Sequence, residues 1–410
     1  MKAIMNNGKN RVLVVTSVAS MIDQFILPDI RVLLAMGYMV DVAANFEKGN
    51  TCTKEKITEL CGVLRALGVR WYQIDFIRDA RHLPEARKAY CQLDWVMNRV
   101  TDYAFLHCHS PIGGVIGRIL AGKHSIPVIY TAHGFHFYKG ASCLNWLVYY
   151  PIEKLLSAWT DALITINKED YLRAKKRFRM KKLFYIAGIG IDFKRFRTTD
   201  QQGIREKKRR ELGLTDQDTA LFSVGELNKN KNHKTVILAL AKLSQTAPQL
   251  HAHMHYYIAG KGSLEKELME LARQHDVKLH LLGFRWDIAE ILKAVDCFLL
   301  PSYREGMNVS LLEAAVSGVP CLSSDIRGSR DILPQENLIP ITDVEKWSAA
   351  IMRIALEEGY PYEVDEELLK KYDVKQVSKR LRTVYTWMQD HCGGTGAAVM
   401  SESHEGTGNI

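Results

Sequence analysis

The sequence predicts an α/β protein made of two doubly wound domains that face each other across a cleft. Three observations carry this. The chain has 410 residues, more than one hydrophobic core usually holds, so two domains are expected. Short apolar strands alternate with amphipathic helices along it, the pattern of βαβ units and a parallel sheet covered on both faces. The alternation pauses once, from Gly190 to about Lys208, where charge is mixed and no period is visible, and then restarts, so a linker between the two domains is expected there.

In order, the run VLVVTSVASM follows Lys2, Lys9 and Arg11 and superficially resembles a secretory signal. It is short and β-branched, and Asp23 closes it, so it reads as a buried first strand. A helix through ILPDIRVLLAMG, the strand YMVDVAAN and the helix ITELCGVLRALG follow. A long helix near Glu85–Val100, the strand AFLHCHS, a helix from Ile112, the strand VIYTAHG, the helix Leu144–Trp159 and the strand ALITIN complete the first half. The second half reads TALFSVGEL, TVILALAKL, HYYIAGKG, ELMELARQH, LHLLGF, IAEILKAV, CFLLPS, LLEAAVSG and VPCLSS. The segment VKQVSKRLRTVYTWMQD is a long amphipathic helix. The tail after Cys392 holds too little apolar surface to order itself. Domains are therefore expected at 1–195 and 196–372, with a helix at 373–392 and a disordered tail at 393–410.

Composition narrows the class. Apolar and charged fractions of 47% and 25% are those of an ordinary globular protein. Eight scattered cysteines without a CxxC pair read as reduced thiols in a cytoplasmic protein. No stretch approaches the roughly 18 apolar residues of a membrane span. The net charge of +9 is uneven: up to Arg195 there are 28 Lys and Arg against 16 Asp and Glu, and beyond it 27 against 30. A basic first half is expected to meet something anionic, such as a lipid surface, a lipid-linked phosphate or nucleic acid, unless the charge serves solubility alone. No recognition motif accompanies these residues, which argues against nucleic acid.

In open α/β sheets ligands bind at the carboxyl ends of the strands, so the loops there hold the chemistry. The most informative stretch is CFLLPSYREGMNVSLLEAAVSGVPCLSS. It is a buried strand, a turn through Pro301 and Gly306, and a helix with Asn308 as N-cap, ended by Gly318 and Pro320. The helix start favours a diphosphate. Glu305 and Glu313, eight residues apart, would be repelled by phosphate and suit sugar hydroxyls; the spacing alone fits two ligand-free glutamates equally well.

These residues resemble glycosyltransferase family 4, the retaining transferases of the GT-B fold. The pattern is a strand ending in P-S, then E-G, a helix, a second Glu followed by Ala, and G-x-P. It is met at Pro301, Ser302, Glu305, Gly306, Glu313, Ala314, Gly318 and Pro320. The turn at Gly283, Phe284 and Arg285, the glycines Gly260 and Gly262, and AGIGIDFKRF with Asp192 and Phe196 agree with the family, from Arg11 to about Asp390. The resemblance implies a GT-B fold whose last helix crosses back to the first domain. It implies an N-terminal acceptor domain and a C-terminal nucleotide-sugar domain. Glu305 would bind donor-sugar hydroxyls, Glu313 the ribose, and the backbone of Gly306, Met307, Asn308 and Val309 the diphosphate. The turn of Gly283, Phe284 and Arg285 would pack on the base, and Gly260, of the family's glycine turn, would belong to the donor site.

A diphosphate leaving group needs a cation. In VGELNKNKNH, Lys231 stands at the family's Lys position, but Glu226 replaces the usual Arg, so either Lys229 or Arg304 supplies a second charge or phosphate binding is arranged differently here. His133 in YTAHGFHFYKG matches the family's T-x-H, whose imidazole faces the donor sugar; His136 and His109 are left open. The family's glycine-rich first turn reads TSVASMIDQF here, with Ser17 and Ser20 on the acceptor side. This form, with TAHGFHFYKG and NWLVYYPIEKLLSAWTD, resembles the exopolysaccharide, capsule and lipid-linked oligosaccharide subgroup. His251, His253 and His255 alternate as on one strand face, but steps of nearly 7 Å are too wide for one ion. No metal or other cofactor is expected.

The expected function is transfer, with retention, of a hexose or N-acetylhexosamine from a UDP-sugar to a polyprenyl-diphosphate-linked saccharide. The protein would be cytoplasmic and peripheral on the inner face of the membrane, docked through LNWLVYYPIEKLLSAW and RAKKRFRMKK. The alternatives are a non-catalytic sugar-nucleotide-binding partner, which Glu226 encourages, and a UDP-sugar 2-epimerase, which the two-glutamate motif opposes.

Overall fold

The computed structural model describes residues 9–50, 52–77, 83–197, 201–356 and 365–392; the tail expected to be disordered lies outside them. Two parallel sheets form the frame. The first holds β1 (Arg11–Val18), β2 (Met39–Asn45), β3 (Arg70–Gln73), β4 (Tyr103–His109), β5 (Val128–Ala132), β6 (Ala162–Thr165) and β7 (Lys182–Tyr185), in the order β3-β2-β1-β4-β5-β6-β7. The second holds β8 (Thr219–Val224), β9 (Met254–Ala259), β10 (Lys278–Gly283), β11 (Cys297–Leu300), β12 (Cys321–Ser324) and β13 (Leu338–Ile339), in the order β10-β9-β8-β11-β12-β13.

Burial on both faces explains why the strands read as continuous apolar runs. On β1, Val12 and Val14 join one core layer while Leu13 and Val15 join the other. Three edge strands, RWYQ, KLFY and LI, escape the sequence reading. They are short, and the neighbouring strand's ladder holds each in place.

The strand order reverses between β1 and β4 and again between β8 and β11, so each sheet has a crevice at the carboxyl ends of those pairs. The helix Val374–Cys392 packs Val377, Leu381, Val384, Tyr385 and Met388 into the core layer of Val12, Val14 and Val40. The last helix thus crosses back to the first domain, each buried side chain contributing about 1.5–3 kcal/mol gross. Its approach runs beside the outgoing connection: the Ile191 amide donates to the Tyr372 carbonyl at 2.8 Å, and the Val374 amide to the Ile191 carbonyl at 3.0 Å.

The pause at 190–208 is not plain linker. It contains the helix Phe193–Phe196 and most of the helix Gln201–Glu211. The second of these lacks an apolar period because it is anchored by charge: Arg205 and Arg209 reach Asp296 at 2.6 and 3.2 Å. The three histidines of HAHMH do not share a strand face either. His251 ends the helix Pro248–His251, and β9 begins only at Met254. The proline at 248 starts a helical turn there instead of a strand.

Candidate active site

Asparagines stitch two strand-end loops of the second sheet together. The Asn232 amide donates to the Pro301 carbonyl at 3.0 Å, the Asn230 amide to the Arg304 carbonyl at 3.1 Å, and the Tyr303 amide to the Asn230 carbonyl at 2.8 Å. Lys231, between these asparagines, is thereby carried to Glu305, with Nζ 2.8 Å from Oε1. Its stem lies across Gly225, where a Cβ would stand 2.8 Å from Lys231 Cε. Lys229 and Glu226 are exposed, as is Arg304.

After Glu305 the chain enters the helix Val309–Val316. The Asn308 side chain accepts the Leu311 amide at 2.9 Å, which leaves the first N–H groups of the helix for a ligand. Gly306 is where the two domains touch: a Cβ there would collide with the carbonyl oxygen of His133. Met307 lies beside Gly188 of the interdomain connection. Glu305, Gly306, Lys231 and His133 are thus brought together from three loops.

Glu313 is half-buried on the inner side of that helix, and burial raises its carboxyl to about 7, against the pull of Arg195. Gly260 and Phe284 line a recess of about 390 Å³ together with Lys261 and Gly283. Phe284 is exposed and meets Trp286 edge-on at 4.6 Å. Arg285 is engaged elsewhere, with its guanidinium on Asp287 and on Glu211 at 2.8 Å.

On the facing domain, His133 Nε2 lies 3.0 Å from His109 Nδ1, and burial lowers His133 to about 4. His107 is wholly buried between the Tyr385 hydroxyl at 3.1 Å and the Thr131 hydroxyl at 2.8 Å. Ligand-type atoms of Asp29, His107 and His109 lie within 4.8 Å of one another. Both ring nitrogens of His107 are already taken by the Tyr385 and Thr131 hydroxyls. His136 stacks on Tyr149 at 4.6 Å. Ser17 is less open than its place in the first turn suggested: its hydroxyl is 2.7 Å from that of Ser110, which also accepts the Ser17 amide at 3.0 Å. Ser20 is buried, its amide on Asn50 at 2.8 Å. Here β1 runs directly into the helical segment from Ala19, with no loop between them.

Arg327 is a site residue that the sequence reading missed. Its Nε donates to the Glu305 carbonyl at 3.0 Å, and its Nη1 lies 2.9 Å from Asp170 of the first domain. The signal was its place just beyond β12, at the carboxyl end of the sheet.

The chain matches two family models. The glycosyl transferase 4-like domain covers residues 25–183, and glycosyl transferases group 1 covers residues 204–371. It is 38% identical over 318 residues to EpsD of Bacillus subtilis, a protein named as a glycosyltransferase, covering 75% of this chain and 77% of that one. It is 32% identical to the Escherichia coli UDP-Gal:alpha-D-GlcNAc-diphosphoundecaprenol alpha-1,3-galactosyltransferase, over 62% of this chain and 66% of that protein. Among solved structures, Anabaena HepE in complex with UDP-glucose shares the fold, with a TM-score of 0.70 at 16% identity over 92% of this chain and 99% of that one. With the two facing sheets and the returning helix, these matches show that the chain belongs to the GT-B glycosyltransferases of the exopolysaccharide and lipid-linked-saccharide type.

Proposed function

We propose that the protein transfers a hexose or N-acetylhexosamine, with retention, from a UDP-sugar to a polyprenyl-diphosphate-linked saccharide in surface polysaccharide or capsule synthesis. The observation that carries this is the meeting of Lys231, Glu305 and the start of the helix Val309–Val316 against His133. Glu305 takes sugar hydroxyls, Glu313 the ribose, and the recess at Gly260 and Phe284 the base. When the donor binds, Lys231 turns from Glu305 to the diphosphate, whose remaining charge faces the backbone of Gly306, Met307, Asn308 and Val309. On this reading no metal is needed, because a cation and a helix start already meet the charge. An acceptor hydroxyl oxygen bonds to the anomeric carbon on the face that the diphosphate leaves, the carbon–oxygen bond to phosphate breaks, and the hydroxyl proton passes to the departing phosphate oxygen. Ser17, Ser20 and His109 lie on the acceptor side, at the β1–β4 crevice. UDP release from a panel of UDP-sugars, with and without undecaprenyl-diphosphate saccharides, tests the reaction. Release should need both an acceptor and one particular donor, and Glu305→Ala should lower it at least 100-fold, about the loss of one transition-state contact. Acceptor-independent release or free-sugar interconversion would refute it.

Membrane contact belongs to the same reading. The helix Cys143–Ser157 turns Trp146, Tyr149 and Tyr150 toward the core but leaves Leu144, Leu147, Val148, Ile152 and Leu155 exposed, with Leu147 at 75%. Beside it the helix Lys168–Arg177 and the turn after it expose Lys175, Lys176, Arg177 and Arg179. An apolar stripe flanked by cations suits an anionic bilayer, and no helix among the described residues is long and apolar enough to cross one. Leu147→Glu with Leu155→Glu should weaken binding to phosphatidylglycerol vesicles at least tenfold, since each buried leucine is worth about 1.5–3 kcal/mol. Equal co-sedimentation of variant and wild type would rule this surface out.

A further inference from the structure

Behind His133 lies a chain of polar groups, His109 and Asp29, whose protons the proposed reaction leaves unassigned. His109 Nδ1 meets His133 Nε2 at 3.0 Å. The far nitrogen, His109 Nε2, is buried and has no hydrogen-bond partner, a state that native interiors rarely leave uncorrected. Asp29 Oδ2 stands 3.9 Å from it, a small side-chain swing short of a hydrogen bond. Asp29 is itself buried, on the helix Leu27–Ala35. The other nitrogen of His133, Nδ1, has no hydrogen bond among the described residues and is the atom left for a ligand.

We propose that Asp29 and His109 are positioning residues that fix which ring nitrogen of His133 carries the proton, so that the charge state of Asp29 decides whether His133 donates to the sugar or accepts from it. This rests on the reading of His133 as a donor-sugar contact.

The proton count follows from donors and acceptors alone. A protonated Asp29 donates to His109 Nε2. His109 then carries its proton on Nδ1 and donates to His133 Nε2, which leaves His133 with N–H at Nδ1 as a donor. When Asp29 is ionised it accepts from His109 Nε2–H. His109 Nδ1 is then bare and accepts from His133 Nε2–H, and His133 Nδ1 becomes an acceptor. Each ring stays neutral throughout: the Asp29 proton passes to His109 Nε2, the His109 Nδ1 proton passes to His133 Nε2, and the His133 Nδ1 proton is released.

The titratable groups facing Asp29 are His107 and His109 from β4, His133 beyond β5, and Tyr385 from the returning helix. Burial lowers His107 to about 3 and His133 to about 4, holds His109 well below its usual range, and raises Tyr385. Burial raises the Asp29 carboxyl to about 8. Asp29 is therefore the member that changes charge near neutrality: His133 is a donor below that point and an acceptor above it.

The test is the tautomer of His133, read from ¹⁵N spectra of histidine-labelled protein between about pH 6 and pH 10, with the signal assigned from His133→Gln. The proton should sit on Nδ1 at the low end and move to Nε2 at the high end; in Asp29→Asn it should stay on one nitrogen throughout. UDP-glucose affinity relative to UDP should change about fivefold across the same range, the worth of one hydrogen bond, and the change should vanish in Asp29→Asn. A tautomer that stays put in wild type, or moves equally in the variant, overturns the proposal. If His133→Ala leaves the UDP-glucose to UDP ratio unaltered, the sugar-contact reading fails instead, and the spectra still decide the relay.

Discussion

Replacing Lys231 with alanine is expected to lower the turnover of sugar transfer about 10²–10³-fold, with UDP affinity falling less. The leaving diphosphate gains negative charge only as the glycosidic bond breaks, so a cation beside it acts mainly on the transition state. Lys231 suits this task because it is held. Its amide donates to Asn228 Oδ1 at 3.1 Å, its stem lies over Gly225, and its ammonium already occupies the cleft on Glu305. Glu226 stands where the family resemblance has an arginine and is exposed, which leaves Lys229 and Arg304, both exposed, as the other cations of these loops. Steady-state kinetics with separate kcat and KM provide the check. A turnover within a few fold of wild type would transfer the role to Arg304 or Lys229.

Arg327→Ala should lower stability by about 3–5 kcal/mol, because it removes the nearer cation of a buried carboxylate and leaves only Arg173 at 3.6 Å among its ion-pair partners in the described residues. Asp170 is fully buried and is reached by Arg327 at 2.9 Å, the Phe135 amide at 3.0 Å and Asn167 at 2.8 Å. Burial pushes its carboxyl up, and the guanidinium opposes that push. The same side chain holds the Glu305 carbonyl, so transfer should also suffer. Urea unfolding measures the first effect, and the double variant with Asp170→Asn should recover part of it by removing the stranded charge. An unshifted midpoint for Arg327→Ala would show that the pair is not holding the domains together.

What was legible in the sequence follows from which forces are local. The β1 and β11 strands are apolar runs because both sheet faces are covered. The returning helix shows its face as Val377, Leu381, Val384, Tyr385 and Met388, a period that any reader of the chain can find. The stretch from Pro301 to Pro320 combines a strand end, a turn and an N-cap within one segment, so its arrangement required no knowledge of the rest. Lys231 was visible by its place in a pattern, though not its asparagine supports.

The rest depends on pairs far apart in sequence. Arg327 and Asp170 are separated by 157 residues, and neither lies in a motif; their meeting exists only once two sheets face each other. The helix Gln201–Glu211 looked irregular because its anchors are arginines whose partner, Asp296, is supplied by another element. The edge strands β3, β7 and β13 are held by a neighbour's backbone, which local composition does not record. The sequence by itself determined two doubly wound domains, the strand, turn and capped helix from Pro301 to Pro320, and the family. The tertiary structure alone decided which side chains share a charge or a proton, Arg327 with Asp170 and His133 with His109, because such pairing depends on distances of a few ångströms between groups that the chain order leaves unrelated.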